Sequence, residues 1–384
     1  MIRLLVAHIS DTHLGYRQYN LEERERDFYR AYETLIEMIL EEHVDVLLHT
    51  GDLFDSPRPP TAALLKAQES ILKLVDNGVQ VYAIPGSHDV LKRRGLPPHV
   101  LYERLGMKIL HHRRPWDSVK LPGGELFIAG LQYIPRHSRD GLLESLRRIE
   151  AEASQRSCKK ILMLHQSLKE YLPFEYELST GELPRGFHYY AMGHIHQRVS
   201  VRLPWGGLLA YAGSTEVCNR LEYSEYLRNG KGAYLVDLSG DEPTLHRLDL
   251  GEVRPHLVAR IDYGRFRAEI AKLSSEASRH KLKPVLHLVI VGRVIDRRLV
   301  FSELTRLLQP KCLTVRVEFR RPEEAEVLPK MEGPSELDVK KLLYEELKNS
   351  RAAELAYRLF QALKTEDLDE ALAVAEEFYR SGLF

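Results

Sequence analysis

Short apolar runs alternate with longer stretches of helical spacing along the first part of the chain. Arg3–Ile9 is an apolar run that ends in polar residues, and it predicts a buried strand. Across Glu22–Glu42 the apolar residues Phe28, Ala31, Leu35, Met38 and Ile39 recur at three and four, which predicts an amphipathic helix. Val44–His49 predicts a second strand, Ala62–Val75 a second helix and Val79–Ile84 a third strand. Each strand runs into a loop containing Gly or Asp. That order belongs to an α/β fold, in which ligands sit at the loops beyond the strand ends. From about residue 119 the segments shorten. Leu126–Ala129, Lys160–Leu164, Tyr189–Met192, Val199–Val201, Leu208–Ala212, Ala233–Asp237 and Thr244–Leu248 read as strands, with one clear helix, Gly141–Ala153, among them. These are too many strands for one open sheet, so the pattern predicts two packed sheets with outer helices.

Residues 255–321 then run strand, helix, strand, helix, strand: Leu257–Asp262, Arg265–Ala277, Val285–Val291, Leu299–Leu308 and Leu313–Phe319, enough for a small α+β domain. Pro322 to Pro334, with three prolines and an acidic run, reads as a linker. Ser335 with Asp338 resembles a capping box, and Val339, Leu342, Leu343 and Leu347 follow at helical spacing. Leu355, Leu359, Phe360 and Leu363 continue the stripe, and Leu368, Leu372, Ala375 and Phe378 form a second one. The expected organisation is an α/β domain over 1–253, a small domain over 254–321, a linker over 322–334 and a helical tail over 335–384.

Composition narrows the class. With 44% hydrophobic and 29% charged residues, the 384-residue chain can bury a sizeable core, which excludes a disordered or collagen-like chain. No apolar run approaches the roughly 18 residues that span a bilayer, so no membrane partner is expected. The start, MIRLLVAHIS, has a single Arg and no small-residue cleavage site, and reads as a strand and not a signal peptide. Cys158, Cys218 and Cys312 are odd in number and far apart, which argues against a disulfide framework or a CxxC zinc site and for a reducing cytoplasm. Asn occurs only at 20, 77, 219, 229 and 349, a scarcity that, with so many charges, points to a thermophile. Lys+Arg and Asp+Glu are both 55, yet the balance is not local. Residues 254–321 hold 16 basic and 6 acidic side chains, whereas 322–384 hold 8 basic and 15 acidic ones, so the two parts are suited to different partners.

Candidate chemistry collects at the strand ends. The first strand runs into Asp11-Thr12-His13, the second into Gly51-Asp52, the third into Gly86-Ser87-His88-Asp89. Later strands run into His165 and into Gly193-His194-Ile195-His196. Strand-end loops of one sheet meet along one edge, so these side chains can converge. Carboxylate oxygens and imidazole nitrogens suit manganese, iron and zinc, and one carboxylate can bridge two ions that clamp both oxygens of a phosphoryl transfer. A single DxH, HxH or GD carries little information; five such pieces, each after an apolar run, carry much more.

In this order DTH, GDLFD, GSHD, LHQ and GHIH resemble the calcineurin-like metallophosphoesterase signature. The runs HISDTHLGY, GDLFD, IPGSHD and YAGSTE narrow the resemblance to DNA double-strand-break repair nucleases of the meiotic-recombination-eleven type, whose bacterial counterpart is SbcD. It extends over the whole chain. It implies a four-layer αββα metallophosphoesterase sandwich, a small α+β capping domain that binds DNA, and an archaeal, thermophilic source. It also implies a 3′-to-5′ double-strand exonuclease and single-strand endonuclease with two manganese ions per chain. Carried over residue by residue, Asp11, His13 and His196 would hold one ion, Asp52 would bridge, and His165 and His194 would hold the second. His88 would stand by the scissile phosphate, stabilising charge or protonating the leaving oxygen. Ser87 departs from the family's Asn; its shorter, neutral hydroxyl is a poorer ligand for the second ion. Asp55 stands after GDLF where some relatives carry His.

Lys92, Arg93 and Arg94 follow GSHD, and Tyr16, Arg17 and Arg58 follow the first two motifs, so these are the expected contacts to DNA ends. His8 and His49 lie inside strand patterns and are expected as core or supporting histidines. Trp116 and Trp205 are expected to pack. The resemblance further implies a homodimer through helix 62–75 and Val100–Leu105. It implies a tail that docks Leu342, Leu347, Leu355, Leu359 and Phe360 on the coiled coil of an ABC-type repair ATPase, the SbcC counterpart. A cytoplasmic, nucleoid-associated location goes with these partners. Two rival readings use the same core: a phosphatase or cyclic-nucleotide phosphodiesterase, which needs neither a basic cap nor a tail, and a non-enzymatic DNA tether weakened at Ser87.

Overall fold

Every residue of β1 (Leu5–Ile9) and β2 (Val46–His49) is buried. Parallel strands covered on both faces are unbroken apolar runs, which is how both segments read in the sequence. The structure, a computed structural model, describes residues 3–90, 95–173, 175–294, 296–321, 350–364 and 368–380. In it β1 and β2 continue in parallel into β3 (Gln80–Ala83) and the two-residue β4 (Lys108–Ile109). A second sheet holds β5 (Trp116–Leu121), β6 (Gly124–Leu131), β7 (Lys159–His165), β8 (Tyr189–Gly193), β9 (Val199–Arg202) and β10 (Leu208–Tyr211), in the order β5-β6-β7-β8-β10-β9. The chain then returns to the first sheet through β11 (Gly232–Asp237) and β12 (Thr244–Asp249), both antiparallel, for the order β12-β11-β1-β2-β3-β4.

Alternation along the strands decides what each face meets. Val6, Val46 and Leu48 of the first sheet share an apolar cluster with Ile128, Ile161, Met163 and Ala191 of the second. Their neighbours Leu5, Ala7 and Leu47 point the other way. They pack on Leu35, Ile36 and Ile39 of α1 (Glu22–Glu41) and on Ala67, Ile71 and Leu74 of α2 (Thr61–Asp76). On the far side Phe127, Ala129, Leu162 and Leu164 meet Leu142, Leu146 and Ile149 of α3 (Arg139–Ser154). The layers are therefore helix, sheet, sheet, helix, as expected. Three elements went unread, the two-residue β4 among them. β5 is an edge strand with alternating exposure, too polar to stand out, and α4 (Glu222–Asn229) is a short polar helix.

Residues 254–321 form a three-stranded parallel sheet of β13 (His256–Asp262), β14 (Val285–Val291) and β15 (Thr314–Arg320). Its crossovers α5 (Phe266–Ala277) and α6 (Arg297–Leu307) cover one face, where Ile270, Val300 and Leu304 pack on Ile261, Leu288 and Ile290. The other face meets the loop after β1: His287 Nε2 is 3.4 Å from the Tyr19 hydroxyl, and the Arg316 guanidinium lies 4.8 Å over the Tyr19 ring.

The chain divides into compact units Met1–Pro322 and Glu323–Phe384. In the second, α7 (Ser350–Lys364) and α8 (Leu368–Arg380) pack on each other, with Arg358 Nη1 2.7 Å from Glu377 Oε2. Leu355 is buried and Leu359 half-buried, while Leu372 is exposed. The expected linker 322–334, the Ser335–Asp338 cap, and Val339, Leu342, Leu343 and Leu347 lie outside the described residues, as do the side chains of Phe360, Leu363 and Leu368. No helix among the described residues is long and apolar enough to cross a membrane.

Candidate metal centre

The loops leaving β1, β2, β3, β7 and β8 carry Asp11 and His13, Asp52, Ser87 and His88, His165, and His194 and His196. Four of these residues have left-handed backbone: Asp11 (φ 50°), His13 (φ 44°), Asp52 (φ 52°) and His194 (φ 84°). That conformation costs roughly 1–2 kcal/mol for an L-residue and persists where the surroundings over-determine it. Here they do. Asp11 N–H donates to Gly51 O and His13 N–H to Asp52 O, both at 3.0 Å. Buried Asp89 ties the second loop to the third, accepting from the backbone N–H groups of Leu53 (3.2 Å), Phe54 (3.0 Å) and Gly86 (2.8 Å). Two glycines let these loops close. A Cβ on Gly51 would lie 2.3 Å from His165 Nδ1, and one on Gly86 2.2 Å from Asp52 Oδ1.

Asp52 is central and buried. Its Oδ2 is 3.4 Å from His165 Nε2 and 3.9 Å from His13 Nε2, and Ser87 Oγ donates to it at 3.4 Å. Its Oδ1 accepts from His88 N–H at 2.8 Å. Ligand atoms of Asp11, Asp52 and His165 all lie within 4.8 Å of one another, as do those of His13, Asp52 and His88, and of His13, His196 and Cys218. His194 sits beside this cluster: its ring centroid is 5.1 Å from that of His165, it stacks on Tyr133 at 5.5 Å, and its backbone N–H points at Asp11.

Hydrogen bonds fix the imidazole tautomers. A carbonyl oxygen only accepts, so His165 Nδ1–H donates to Thr50 O (2.7 Å), and in the neutral ring Nε2 is the atom that carries the lone pair. That Nε2 is buried 3.4 Å from Asp52 Oδ2, and His13 Nδ1 is buried 3.4 Å from Asp55 Oδ1. His196 Nδ1 contacts Glu222 Oε1 at 2.8 Å, which turns its Nε2 toward His13 Nε2, 3.2 Å away. Glu222 is braced in turn by Lys231 Nζ at 3.0 Å. A carboxylate behind a ring nitrogen that faces inward is the arrangement that orients metal-binding histidines.

The electrostatics agree. Burial opposes protonation of His165, but the charge of Asp52 outweighs it and the pKa is raised to about 9. His196 is likewise raised to about 9 against burial, mainly by Glu222, and His13 to about 9, with Cys218, Asp55 and Asp52 outweighing burial. Asp52 is held well below the carboxylate range despite burial, chiefly by His165. His194 moves the other way, lowered by burial and by His165. Positive charge is favoured at His13, His165 and His196 and disfavoured at His194. Buried imidazoles turned toward buried carboxylates together fit divalent cations.

Other expected residues lie around the rim. His88 is half exposed, its Nδ1–H donating to Asp55 O at 2.9 Å. Tyr16 is half-buried against His13 and Phe28. Arg17 is exposed and pairs with Glu22 at 3.1 Å, and Arg58 is exposed. Lys92, Arg93 and Arg94 lie outside the described residues. His8 is a core histidine, bonded to Tyr189 Oη (2.7 Å) and Thr50 Oγ1 (2.9 Å) and lowered by burial to about 3; His49 meets Thr12 Oγ1 at 3.1 Å. Trp116 and Trp205 both pack on the cluster under α3. Sequence reasoning missed Glu222 and Cys218. Glu222 stands 26 positions after His196 with no local motif to mark it; Cys218, two positions beyond YAGSTE, was within reach.

Residues 4–198 match the calcineurin-like phosphoesterase family. The chain is 37% identical over 310 residues to the DNA double-strand break repair protein Mre11 of Saccharolobus solfataricus, covering 79% of both chains. It is 43% identical over 250 residues to that of Methanocaldococcus jannaschii, covering 65% of each, and 34% identical over 383 residues to that of Methanococcus maripaludis, covering 97% of this chain and 98% of the relative. The chain belongs to the Mre11 group of calcineurin-like phosphoesterases. As a member of that family of metal-dependent phosphoesterases, it carries Asp11, His13, Asp52, His165, His194 and His196 within the matched segment; Glu222, Cys218 and the basic sheet of residues 254–321 lie beyond it.

Proposed function

We propose that the chain is a manganese-dependent DNA nuclease of double-strand-break repair, a 3′-to-5′ exonuclease on duplex ends and an endonuclease on single strands. The observation that carries this reading is the position of the Asp52 carboxylate between two groups of inward-facing donors. In the proposal Asp11, His13 and His196 would hold one ion, His165 and His194 the second, and Asp52 would serve both. Ser87 is a weaker contributor to that second ion, since its hydroxyl is already engaged by Asp52. Two bound ions supply Lewis acidity and an activated water for in-line phosphodiester hydrolysis.

The chain's own residues do the rest. Glu222 and Thr50 hold imidazole tautomers, Asp89 and Gly86 hold the loops in register, and His88 faces the scissile phosphate. With Nδ1–H held by Asp55 O, the free His88 Nε2 is the atom that stabilises charge or delivers a proton to the leaving oxygen. Tyr16, Arg17, Arg58 and the Lys92–Arg94 run contact the DNA backbone, and the basic 254–321 domain extends that path. The helical tail over 335–384 binds an ABC-type coiled-coil ATPase. A homodimer forms through α2, where Leu65 is 50% exposed, and through the 3₁₀ turn Pro98–Leu105, where Leu101 is 61% exposed; Ile71 faces the chain's own core.

Metal content and cleavage of end-labelled duplex DNA, set against small phosphate esters, test this. The reading expects two manganese ions per chain and manganese-dependent 3′-to-5′ degradation. Turnover of small esters without DNA cleavage would make the protein a phosphatase; a metal-free, inactive protein that binds DNA would make it a tether.

A further inference from the structure

Cys218 is the thiol that the fold brings to the candidate metal centre. It lies in the loop between β10 and α4, and its backbone is pinned from both sides. Its N–H donates to Glu222 Oε2 at 3.1 Å, and its carbonyl accepts from Gln18 Nε2 at 2.6 Å. The thiol itself makes only a long contact, 3.7 Å, to Glu216 O. Its Sγ lies within 4.8 Å of a ring nitrogen of His13 and of a ring nitrogen of His196. His13 is buried, its Nδ1 turned to Asp55 Oδ1 at 3.4 Å and its Nε2 to His196 Nε2 at 3.2 Å, and His196 Nε2 is 3.8 Å from Asp11 Oδ1. Two nitrogens and one sulfur thus face the same position, and Asp11 approaches it from the side of His196.

We propose that this position is also a tight site for a soft tetrahedral cation, zinc, held by Asp11, His13, His196 and the Cys218 thiolate, and that such an ion silences the centre. The inference rests on the metal-centre reading above. Oxygen and imidazole donors alone leave the choice of ion to availability, whereas a thiolate selects zinc over manganese. Binding breaks the S–H bond, forms a Zn–S bond and releases the proton to solvent, with no change of oxidation state. With Cys218 taking the place that Asp52 would hold toward manganese, four protein ligands complete a tetrahedron. A closed set of that kind belongs to structural zinc sites, since it leaves no coordination position for water. Asp11, His13 and His196 would then serve both an open manganese and a closed zinc, with Cys218 in place of Asp52 as the difference between them.

Cobalt(II) and zinc, added to the full chain after chelation, test it. The chain with its own cysteines should show tetrahedral cobalt bands together with thiolate-to-cobalt charge transfer in the near ultraviolet. Cys218→Ser and Cys218→Ala should lose the charge-transfer band while still binding cobalt, and should lose zinc affinity by about tenfold or more in chelator competition. Cys158→Ser and Cys312→Ser should keep the band. Manganese binding, followed in parallel by paramagnetic resonance, separates the two levels of the argument. Manganese bound without any charge-transfer band, or zinc affinity unchanged in both Cys218 variants, overturns the thiolate ligand alone. A chain that binds neither manganese nor cobalt overturns the metal centre and this proposal with it.

Discussion

His88 differs from its neighbours in exposure: 48% of its side chain is open to solvent, against 3% for His13. Its link to Asp52 is through the backbone N–H, which a substitution leaves in place. His88→Gln is therefore expected to lose about 100-fold or more in cleavage, the scale of a lost acid or charge-stabilising group, with metal content and DNA affinity retained. Loss of metal in the variant would move His88 into the ligand set with His13 and Asp52. The buried histidines give a second expectation, for the metal-free protein. His13, His165 and His196 have folded pKa values of about 9, above the unfolded value of about 6.5. Between those limits the folded chain binds more protons than the unfolded one, so their contribution is full below about pH 6.5 and falls as pH rises through about 9. Melting temperatures of chelated protein should drop across that window. Added manganese should raise them by more at the alkaline end, because the ion then displaces fewer protons. A manganese shift independent of pH would mean that these imidazoles are not where the ion binds.

At the scale of elements, legibility followed burial. β1 and β2 are covered on both faces, so their apolar runs had no competing reading, and the ligand pieces after them could be placed at strand ends. β5, on the sheet edge, and α4, with its polar EYSEYLRN sequence, left no such trace. Glu222 was lost with α4, since the carboxylate behind His196 comes from a helix that periodicity did not reveal. Left-handed backbone at Asp11, His13, Asp52 and His194 was equally silent, because no propensity scale predicts strain that neighbouring loops impose. The loops impose it through close packing, and Gly86 measures how close. A methyl group there would meet both Oδ1 and the backbone N of Asp52, at 2.2 and 2.3 Å. Gly86→Ala must move one loop or the other, and a misplacement of about 1 Å costs on the order of 100-fold in turnover. The variant is expected to fold, by circular dichroism, yet bind manganese weakly and cleave at that reduced rate. Activity within a factor of about two of the parent would show that Asp52 tolerates displacement.

At the scale of the whole molecule the basic sheet and the acidic tail are different cases. The basic 254–321 sheet is joined to the catalytic layers through buried charge. Asp27 of α1 accepts from Arg24 Nη1 at 2.7 Å and from Arg254 Nη2 at 2.9 Å, while Arg254 Nη1 reaches Lys283 O at 2.7 Å. Breaking such a buried set leaves uncompensated charge and costs about 3–5 kcal/mol, so this sheet and the sandwich should act as one body on DNA. The acidic tail is a separate compact unit, Glu323–Phe384, whose helices α7 and α8 pack on each other. Two short helices are marginal alone. Leu355 is buried, yet Leu372 is 63% exposed, which leaves apolar surface for a partner. A chain truncated after Val327 keeps every element of the sandwich and of the basic sheet. It is expected to retain manganese-dependent cleavage on its own and to lose affinity for the coiled-coil ATPase by at least about 100-fold, the loss of a few buried apolar anchors. Calorimetric titration of both chains with the ATPase coiled coil measures this. Undiminished affinity in the truncated chain would move the docking surface onto residues 1–327 and leave the tail's exposed face to another role.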